Sequence, residues 1–333
     1  MPIRLNLNEC PYPPPKEVVE AVCSAAKLLN RYYIKEFEEG LKERLSKYVG
    51  VPKECISLLP GSEAFFTYSA NYFRLNGLRV LAPKPTFEPA IQDYVVRGVE
   101  VIRVLLKEDF SLDPNEVLEV LGDAVVLYVP NPNNPTGNLL IDRSWIKEAL
   151  EKAAYVVIDE AYYEFSGVTY VNLIKEYPNL LIVRTFSKAF AIAGARVGYV
   201  VGSADALSKV LSIRRVFDIP ITSLAAASAA LDNIEYMRRY VNEVVSTREW
   251  VVNELSKLKG VKVRNSLTNF ILVGIEGVSG EELKKLLRSK GYLVRYLDDP
   301  LLKDYVRVSI GTKDEMKGFV EAVKEILNLI TTK

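Results

Sequence analysis

Residues 181–198, LIVRTFSKAFAIAGARVG, carry the side chains of this sequence that are best suited to covalent chemistry. An apolar run of strand type at residues 181–183 stops shortly before Lys188, and Arg196 follows the lysine in the same stretch. Burial lowers the pKa of a lysine and makes its neutral amine a nucleophile toward carbonyl carbons, including the aldehyde of pyridoxal phosphate. For this stretch alone, a solvated lysine at the end of a strand is the favoured interpretation, and the rest of the chain changes that preference.

The composition excludes several classes of catalytic site. The sequence contains no histidine, which removes Ser/His/Asp and Cys/His triads, the usual zinc sites and imidazole as a general base. The three cysteines, Cys10, Cys23 and Cys55, have no CxxC spacing, so neither a disulfide framework nor a zinc site is expected. Catalysis must then use lysine, carboxylates, tyrosines, a cofactor or an oxygen-ligated metal.

Charge and hydropathy are those of an ordinary globular protein. The 333 residues are 49% apolar and 26% charged, and the formal net charge of +1 gives no sign of a nucleic-acid surface. No apolar run reaches membrane-spanning length, and the opening MPIRLNLNEC does not resemble a signal peptide, so a cytoplasmic protein is expected. Glutamine occurs only at Gln92 while lysine and glutamate are plentiful, a usage that favours a protein from a hot environment.

Strand-type and helix-type patterns alternate through the first two thirds of the chain, which indicates an α/β fold. Helices are predicted at 16–29 and 64–73, and apolar strands at 56–59, 79–82, 99–104, 124–129, 155–158, 180–183 and 196–201. Such strands form a largely parallel sheet that is covered on both faces. Ligands bind at the carboxyl ends of these strands. We therefore expect one crevice to contain Asn134, Asp159, Tyr162, Ser187, Lys188 and Arg196.

The remaining third of the chain predicts a second, smaller unit. Residues 223–258 have a long helical pattern, and strands are expected at 261–264, 269–275, 293–296 and 305–310. Capping boxes that begin at Ser279 and Thr312 predict the starts of two further helices. We expect an N-terminal segment, residues 1–30, packing with the small domain; a large α/β domain, residues 31–235; and a small α+β domain, residues 236–333.

Three motifs in order, PNPNNPTG, VIDEAYYEF and RTFSKAF with Arg196 downstream, resemble the class I/II aminotransferases of fold type I. The finer resemblance is to histidinol-phosphate aminotransferases, on LNLNECPY, RYY at residues 31–33, DEAYYEF and VRVSIGT. The resemblance covers nearly the whole chain. It implies pyridoxal 5′-phosphate as the cofactor, bound by a large domain with a mostly parallel sheet beside a small α+β domain.

The resemblance implies a role for each residue at the strand ends. Lys188 would bond covalently to the aldehyde of the cofactor and later move a proton, and Asp159 would pair with the pyridine nitrogen and keep it protonated. Asn134 and Tyr162 would hydrogen-bond the 3′ oxygen, with a cis peptide bond before Pro135. Lys188, Asp159 and Tyr162 are the predicted catalytic residues.

The resemblance places the phosphate of the cofactor at the start of a helix. Backbone groups of Ser62 and Glu63 would hold it, while Ser187 and Arg196 would supply a hydroxyl and a positive charge. Tyr32 would reach this phosphate from a neighbouring subunit. A homodimer with a shared active site is therefore implied.

Four further residues are predicted to contact the cofactor ring or the substrate. Phe87 would stack on the ring, although an ordinary core aromatic is an equal alternative. Arg307 would hold the α-carboxylate of the substrate bidentately, which suits arginine better than lysine. Arg295, which would contact the distal end of the substrate or else be a solvated arginine, and Asn8 complete the predicted substrate-binding set. No metal is expected.

The predicted reaction is a ping-pong amino transfer, with L-histidinol phosphate and 2-oxoglutarate as the preferred pair, in histidine biosynthesis. Where members of this family often have aspartate followed by glutamate, this sequence has Ser62 and Glu63, and residues 217–220 stand in place of a more polar stretch near the substrate. An aromatic or broad-specificity aminotransferase therefore remains an alternative. A threonine-phosphate decarboxylase would use the same lysine, aspartate and arginine. A non-catalytic regulator that binds the cofactor is the rival from another class, but the chain shows no basic face for DNA. No GxGxxG motif supports a dinucleotide-binding dehydrogenase.

Overall fold

The computed structural model describes residues 2–32, 34–215 and 217–331; Tyr33 of the RYY motif lies outside them. The strands are β1 (Ile3–Arg4), β2 (Ile56–Leu59), β3 (Arg79–Lys84), β4 (Val101–Leu105), β5 (Val125–Pro130), β6 (Tyr155–Asp159), β7 (Leu180–Thr185), β8 (Gly198–Gly202), β9 (Val261–Arg264), β10 (Phe270–Ile275), β11 (Tyr292–Leu293), β12 (Arg295–Tyr296) and β13 (Val306–Ser309). The helices are α1 (Lys16–Ala26), α2 (Lys35–Val49), α3 (Ala64–Leu75), α4 (Glu88–Val96), α5 (Pro114–Val120), α6 (Ile146–Lys152), α7 (Tyr163–Ser166), α8 (Ala204–Val210), α9 (Ile221–Asp232), α10 (Ile234–Ser256), α11 (Gly280–Ser289) and α12 (Lys313–Thr331). Within these ranges no helix combines the length and the apolar character needed to cross a membrane.

A seven-stranded sheet in the order β2-β8-β7-β6-β5-β3-β4 forms the centre of the fold. Its neighbouring strands pair in parallel, except that β8 runs antiparallel to both β7 and β2. The prediction of a mostly parallel sheet is confirmed. The predicted strands lie within a few residues of the observed ones; β2 matches its predicted range, whereas β7 continues to Thr185.

Strand β5 shows why the central strands are apolar throughout. Alternate side chains of a strand point to opposite faces of the sheet. Val126 and Tyr128 pack into the core on one face, beneath α3, α4 and α8. Val125, Leu127 and Val129 pack into the core on the other face. Both faces are covered, so no position of the strand is left for a polar side chain in contact with water.

A four-stranded antiparallel sheet in the order β12-β13-β10-β9 forms the core of the C-terminal part. Both predicted capping boxes begin helices there. The Ser279 hydroxyl accepts from the Glu282 N–H at 3.2 Å, and Glu315 accepts from the Thr312 N–H at 2.8 Å. Strand β1 pairs in parallel with β11, whereas α1 packs against α9. The domain boundaries at residues 30 and 235 stay a prediction.

Two predicted elements are each divided into two, so their prediction as single elements was wrong. The helix expected over 223–258 is two helices, α9 and α10, which meet at Asn233. The Asn233 side chain donates to the backbone oxygen of Ala229 at 2.8 Å, and such local bonds compete with continued helix. The strand expected over 293–296 changes partner at Val294, because β11 pairs with β1 whereas β12 pairs with β13. Strand β1 lies in the N-terminal segment, where no strand was predicted.

A buried ion pair fixes the chain segment that follows β6. The carboxylate of Glu160 accepts hydrogen bonds from Arg184 of β7, at 2.9 Å from Nε and 2.7 Å from Nη2. Both side chains are almost fully buried. The same carboxylate accepts from the Thr169 hydroxyl at 2.9 Å and from the Tyr170 N–H at 2.8 Å. The turn that carries Tyr162 is therefore tied to the central sheet from both of its ends.

We predict that Arg184→Leu strongly destabilises the fold, because it leaves the Glu160 carboxylate buried without a counter-charge. The free energy of unfolding should fall by about 3–5 kcal/mol, measured by urea denaturation. Lys209→Ala, which removes the exposed pair with Asp205, is the control and should leave this free energy nearly unchanged. Equal losses in both variants would show that the buried pair is not an anchor.

Candidate active site

A cavity of about 500 Å³ lies at the carboxyl ends of β3, β5, β6 and β7. It is lined by all but one of the predicted site residues: Asn8, Ser62, Glu63, Phe87, Asn134, Asp159, Tyr162, Ser187, Lys188, Arg196, Arg295 and Arg307. Tyr32 is the exception; its side chain is 91% exposed and does not line the cavity of its own chain. The sequence thus predicted which residues meet here.

The direction of the strands explains this convergence. Asp159 is the last residue of β6, and Lys188 follows the end of β7. Arg196 precedes its strand, but β8 is antiparallel to β7, so Gly198 pairs with Thr185 at the same edge of the sheet. The reversed strand therefore brings Arg196 to the site from its amino-terminal end.

The Lys188 side chain is partly exposed to solvent, but the side chains around the cavity surround it closely. Its Nζ donates to the backbone oxygen of Leu7 at 3.2 Å. Burial, together with the positive charge of Arg307, lowers the pKa of the ammonium group to about 8. A substantial fraction is neutral just above neutral pH, and the neutral amine is the form that attacks a carbonyl carbon or accepts a proton.

Asp159 presents a buried carboxylate that has only neutral hydrogen-bond donors. The Ala161 N–H donates to Oδ1 at 3.0 Å, and the Tyr128 hydroxyl donates to Oδ2 at 3.3 Å. Burial raises the pKa of the carboxyl to about 6, and no cation among the described residues forms an ion pair with it. A positively charged ring nitrogen would supply the missing partner of this carboxylate.

Two hydrogen-bond donors are positioned for an oxygen atom in the cavity. The Tyr162 hydroxyl accepts from Asn8 Nδ2 at 2.9 Å, and burial raises its pKa, so the hydroxyl keeps a proton to donate. Asn134 Oδ1 accepts from Arg307 Nη1 at 2.7 Å, which leaves Asn134 Nδ2 as a donor. The peptide bond between Asn134 and Pro135 is cis, as predicted.

The start of α3 and the Arg196 guanidinium form a cradle for an anion. Ser62 and Glu63 precede α3, and their backbone N–H groups donate to no other described residue, whereas the N–H groups of the first helical turn already donate to residues 61–63. Arg196 donates to the Ser187 hydroxyl at 3.4 Å and to a Glu63 oxygen at 3.1 Å. Gly61 leaves the room that this guanidinium needs, since a Cβ there would lie 2.7 Å from Nη2. This donor set suits a phosphate.

The charged side chains of the cavity show what kind of ligand fits. Glu63 and Glu88 are engaged in ion pairs, with Arg196 at 3.1 Å and Arg103 at 2.7 Å. Among the described residues, one carboxylate and three cations that line the cavity have no ion-pair partner: Asp159, Lys188, Arg295 and Arg307. An anionic ligand with one cationic atom matches this pattern. Pyridoxal phosphate, with a protonated ring nitrogen, has these charges.

Several contacts of the site could not be read from the sequence. The backbone oxygens of Asn6 and Leu7 accept from Arg307 Nη2 at 2.9 Å and from Lys188 Nζ at 3.2 Å. Backbone acceptors are common to all residue types, so the sequence carries no signal for them. Tyr128 lies in a strand that was predicted only to be apolar. A tyrosine hydroxyl in a buried strand needs a hydrogen-bond partner, and that requirement was the signal that could have indicated its contact with Asp159.

The fold and the site together define a pyridoxal-phosphate-dependent enzyme of fold type I. The cofactor supplies an aldehyde carbon that binds amines and a ring that withdraws electrons from the carbon being activated. The chain would hold the ring nitrogen with Asp159, the ring oxygen with Asn134 and Tyr162, and the phosphate with Arg196. Lys188 provides an amine that can gain or lose a proton beside them.

Comparison with known proteins gives the family. The family model for aminotransferase class I and II matches residues 1–323. The chain is 36% identical to the histidinol-phosphate aminotransferase of Sulfurisphaera tokodaii, over 98% of this chain and 90% of that protein. The structure of histidinol-phosphate aminotransferase from Clostridium acetobutylicum is similar at a TM-score of 0.88 and 25% identity, covering 98% of this chain and 99% of that one. The fold also matches that of the Sinorhizobium meliloti enzyme, solved in complex with pyridoxal-5′-phosphate, at a TM-score of 0.89 and 24% identity, covering 99% of this chain and 92% of that one.

The chain therefore belongs to the class I and II aminotransferases. It is a pyridoxal-phosphate-dependent transaminase, and the predictions of family, fold class, enzyme class and cofactor are confirmed. The roles of the individual side chains stay predictions, although the cavity brings together the residues to which those roles were given.

We predict that Gly61→Ala weakens the binding of pyridoxal phosphate to the apoenzyme. Gly61 has a φ of +84°, and an added Cβ would push the Arg196 guanidinium out of the cradle. The dissociation constant should rise about tenfold or more, measured by absorbance titration. Gly77→Ala is the matched control, because its φ is +67° but no atom lies within 4 Å of the added Cβ. An equal loss of affinity in both variants would trace the effect to backbone strain alone.

Proposed function

We propose that this transaminase moves an amino group between L-histidinol phosphate and 2-oxoglutarate, in ping-pong order and within histidine biosynthesis. The names of its relatives support this substrate pair, at 36% identity over nearly the whole chain. The observation that carries the proposal is a pair of arginines, Arg295 and Arg307, whose charges no carboxylate of the described residues neutralises. Both line the cavity.

These arginines are direct neighbours on paired strands. Arg295 of β12 lies opposite Arg307 of β13 in the antiparallel register. Like charges that face each other in this way are destabilising. An anion between the two guanidinium groups would relieve the repulsion. L-histidinol phosphate carries a phosphate, and 2-oxoglutarate and its amino product carry two carboxylates, so each substrate supplies such an anion.

Arg307 is prepared for an anion by its own hydrogen bonds. Its Nη1 donates to Asn134 Oδ1 at 2.7 Å and its Nη2 donates to the Asn6 backbone oxygen at 2.9 Å. Its Nε is buried and has no partner among the described residues. The group is thus held in place with donors to spare, which suits bidentate binding of a carboxylate or phosphate. Arg295 is more exposed and would bind the outer part of the anion.

Lys188 is the group proposed to move protons in this reaction. Its Nζ, with a pKa lowered to about 8, would take the proton from the substrate carbon that bears the amino group. Arg307 fixes the substrate beside it, and Tyr162 and Asn134 hold the ring oxygen of the cofactor. Each of these positions is set by a strand end of the rigid central sheet or by β13.

A half-reaction on the purified holoenzyme tests the substrate. L-histidinol phosphate, added without an oxoacid, should remove the visible absorbance of the bound cofactor, and 2-oxoglutarate should restore it. Lys188→Ala, reconstituted with pyridoxal phosphate, should show neither change, because the proton-transferring amine is gone.

Other outcomes of that experiment would point to the alternatives. A faster change with L-phenylalanine or L-tyrosine than with L-histidinol phosphate would indicate an aromatic or broad specificity. Release of carbon dioxide from O-phospho-L-threonine without any oxoacid would indicate a threonine-phosphate decarboxylase. Stable absorbance with every amino compound would indicate a non-catalytic protein that binds the cofactor.

We also propose a homodimer with a shared active site. Tyr32 is 91% exposed and stacks on Phe217, which is itself 55% exposed, with ring centroids 6.4 Å apart. These two stacked rings form exposed apolar surface that a second copy of the chain would cover. A second copy that covers it would carry the Tyr32 hydroxyl to the Arg196 cradle of its partner.

Light scattering should therefore give twice the 37.4 kDa mass of the chain. Tyr32→Phe, which removes only the hydroxyl, should weaken cofactor binding about three- to tenfold without changing that mass, since one hydrogen bond is lost. A monomer with full affinity for pyridoxal phosphate would contradict the shared site.

Heat adaptation and a cytoplasmic location are further proposals. Ion pairs one helical turn apart, such as Lys42–Glu38 and Lys152–Glu148, accompany the plentiful lysine and glutamate, as in proteins from hot environments. A thermal midpoint within the roughly 45–65 °C range of mesophile domains would contradict this proposal.

The three cysteines are unpaired, which fits a reducing compartment. Recovery of the native protein outside the cytoplasmic fraction would contradict the location.

A further inference from the structure

Asn8 is held by hydrogen bonds on every side although it lines the cavity. It is 1% exposed, and its φ of 55° lies in the left-handed region that asparagine adopts more readily than most residues. Its backbone N–H donates to the Ser309 hydroxyl at 2.8 Å, and its backbone oxygen accepts from Asn269 at 3.1 Å. Its Oδ1 accepts from Ser309 at 3.0 Å, and its Nδ2 donates to Tyr162 at 2.9 Å. Both polar atoms of the side chain are therefore engaged within the chain.

The hydrogen bonds around Ser309 fix which way the Asn8 amide points. The Ser309 oxygen accepts from the Asn8 backbone N–H, and its hydroxyl has one proton to donate, which reaches no acceptor among the described residues other than Asn8. That proton requires an acceptor, and Oδ1 of Asn8 is the acceptor at 3.0 Å. The amide nitrogen must then face the Tyr162 oxygen. The polarity of the chain of bonds from Ser309 through Asn8 to Tyr162 therefore follows from the one acceptor that the Ser309 proton has.

This polarity determines where the proton of Tyr162 goes. A tyrosine hydroxyl has a single proton, and the Asn8 amide nitrogen cannot accept it. The Tyr162 ring is itself fixed by edge-to-face packing on Phe270, with centroids 5.3 Å apart. The charged groups that act on the hydroxyl are Arg307 and Asp159, and the amine of Lys188 lies in the same cavity. The proton is thus directed away from Asn8.

We propose that Asn8 is a positioning residue that acts through Tyr162: it directs the Tyr162 proton toward the ring oxygen of the cofactor and does not contact the substrate. This inference rests on the proposed placement of Tyr162 beside the 3′ oxygen of pyridoxal phosphate. A hydrogen bond donated to an oxygen anion stabilises that anion. The bond therefore shifts the protonation equilibrium of the bound cofactor, which its visible absorbance reports.

Two substitutions at Asn8 separate this role from a merely structural one. Asn8→Asp keeps the shape, the left-handed backbone and an acceptor for Ser309, but replaces the donor to Tyr162 with an acceptor that draws the Tyr162 proton to itself. The neighbouring Arg307 favours the ionised form of that aspartate. Asn8→Gly also tolerates the positive φ, adds no charge and removes the side chain. Loss of structure alone predicts a larger effect for glycine; loss of proton direction predicts a larger effect for aspartate.

The measurement is the pH midpoint of the visible absorbance of the bound cofactor in the substrate-free holoenzyme. Tyr162→Phe should shift this midpoint, and Asn8→Asp should shift it in the same direction, by about 0.4–1 pH unit, the worth of one hydrogen bond. Asn8→Gly should give a smaller shift with the same sign. In the Tyr162→Phe background, neither substitution at Asn8 should move the midpoint further.

Three results would overturn the inference. Unchanged midpoints in both Asn8 variants, with a shift in Tyr162→Phe, would show that Asn8 does not act on the hydroxyl. A shift by Asn8→Asp that persists in the Tyr162→Phe background would show that the added charge acts directly. No shift in Tyr162→Phe itself would refute the placement of Tyr162, and with it this role of Asn8. The half-reaction with L-histidinol phosphate is independent of all three, so a failure here is distinguishable from a wrong substrate.

Discussion

The buried carboxylate of Asp159 is the constraint on which the rest of the site depends. A carboxylate removed from water without a positive partner costs free energy, and the two neutral donors, the Ala161 N–H and the Tyr128 hydroxyl, offset only part of that cost. A protonated ring nitrogen of the cofactor would supply the missing charge. Because the cofactor would bind only the folded chain in this way, its binding would stabilise the fold as well as the site.

The next residue along the chain shows the opposite arrangement. Glu160 is equally buried but carries its own counter-ion, Arg184, and two further donors. The chain itself supplies the counter-charge of Glu160, whereas the counter-charge of Asp159 would come from a ligand. The ion pair between Glu160 and Arg184 anchors the turn after β6. This turn carries Tyr162, whose ring packs against Phe270. The Glu160 ion pair thus anchors the turn beside Asp159, the carboxylate that would bind the ring.

The sequence allowed prediction of what depends on residue type at the end of a strand. Lys188, Asp159 and Arg196 follow or precede buried apolar runs, and the edge of a parallel sheet brings such residues together. The Leu7 backbone oxygen that holds Lys188 has no counterpart in residue type. The break between α9 and α10 lies at Asn233, where the backbone leaves the helical conformation although the helical periodicity of the sequence continues across it. The sequence did not allow prediction of contacts between side chains and backbone atoms that lie far apart along the chain.

Asn6 and its neighbours join the two sheets at the site, and the pattern of their bonds indicates which contacts survive the reaction. Arg307 uses only two of its five N–H groups, for Asn134 and the Asn6 backbone oxygen, so an anion can bind to the others without breaking either bond. Lys188 has a weaker hold, a single bond of 3.2 Å to a backbone oxygen, and must release it whenever its amine reacts. The hydrogen bond between Arg307 and the Asn6 oxygen would therefore keep the N-terminal segment attached to β13 if Lys188 left the Leu7 oxygen. Arg307 and Lys188, the groups proposed for substrate binding and proton transfer, thus contact adjacent residues of one segment through separate hydrogen bonds.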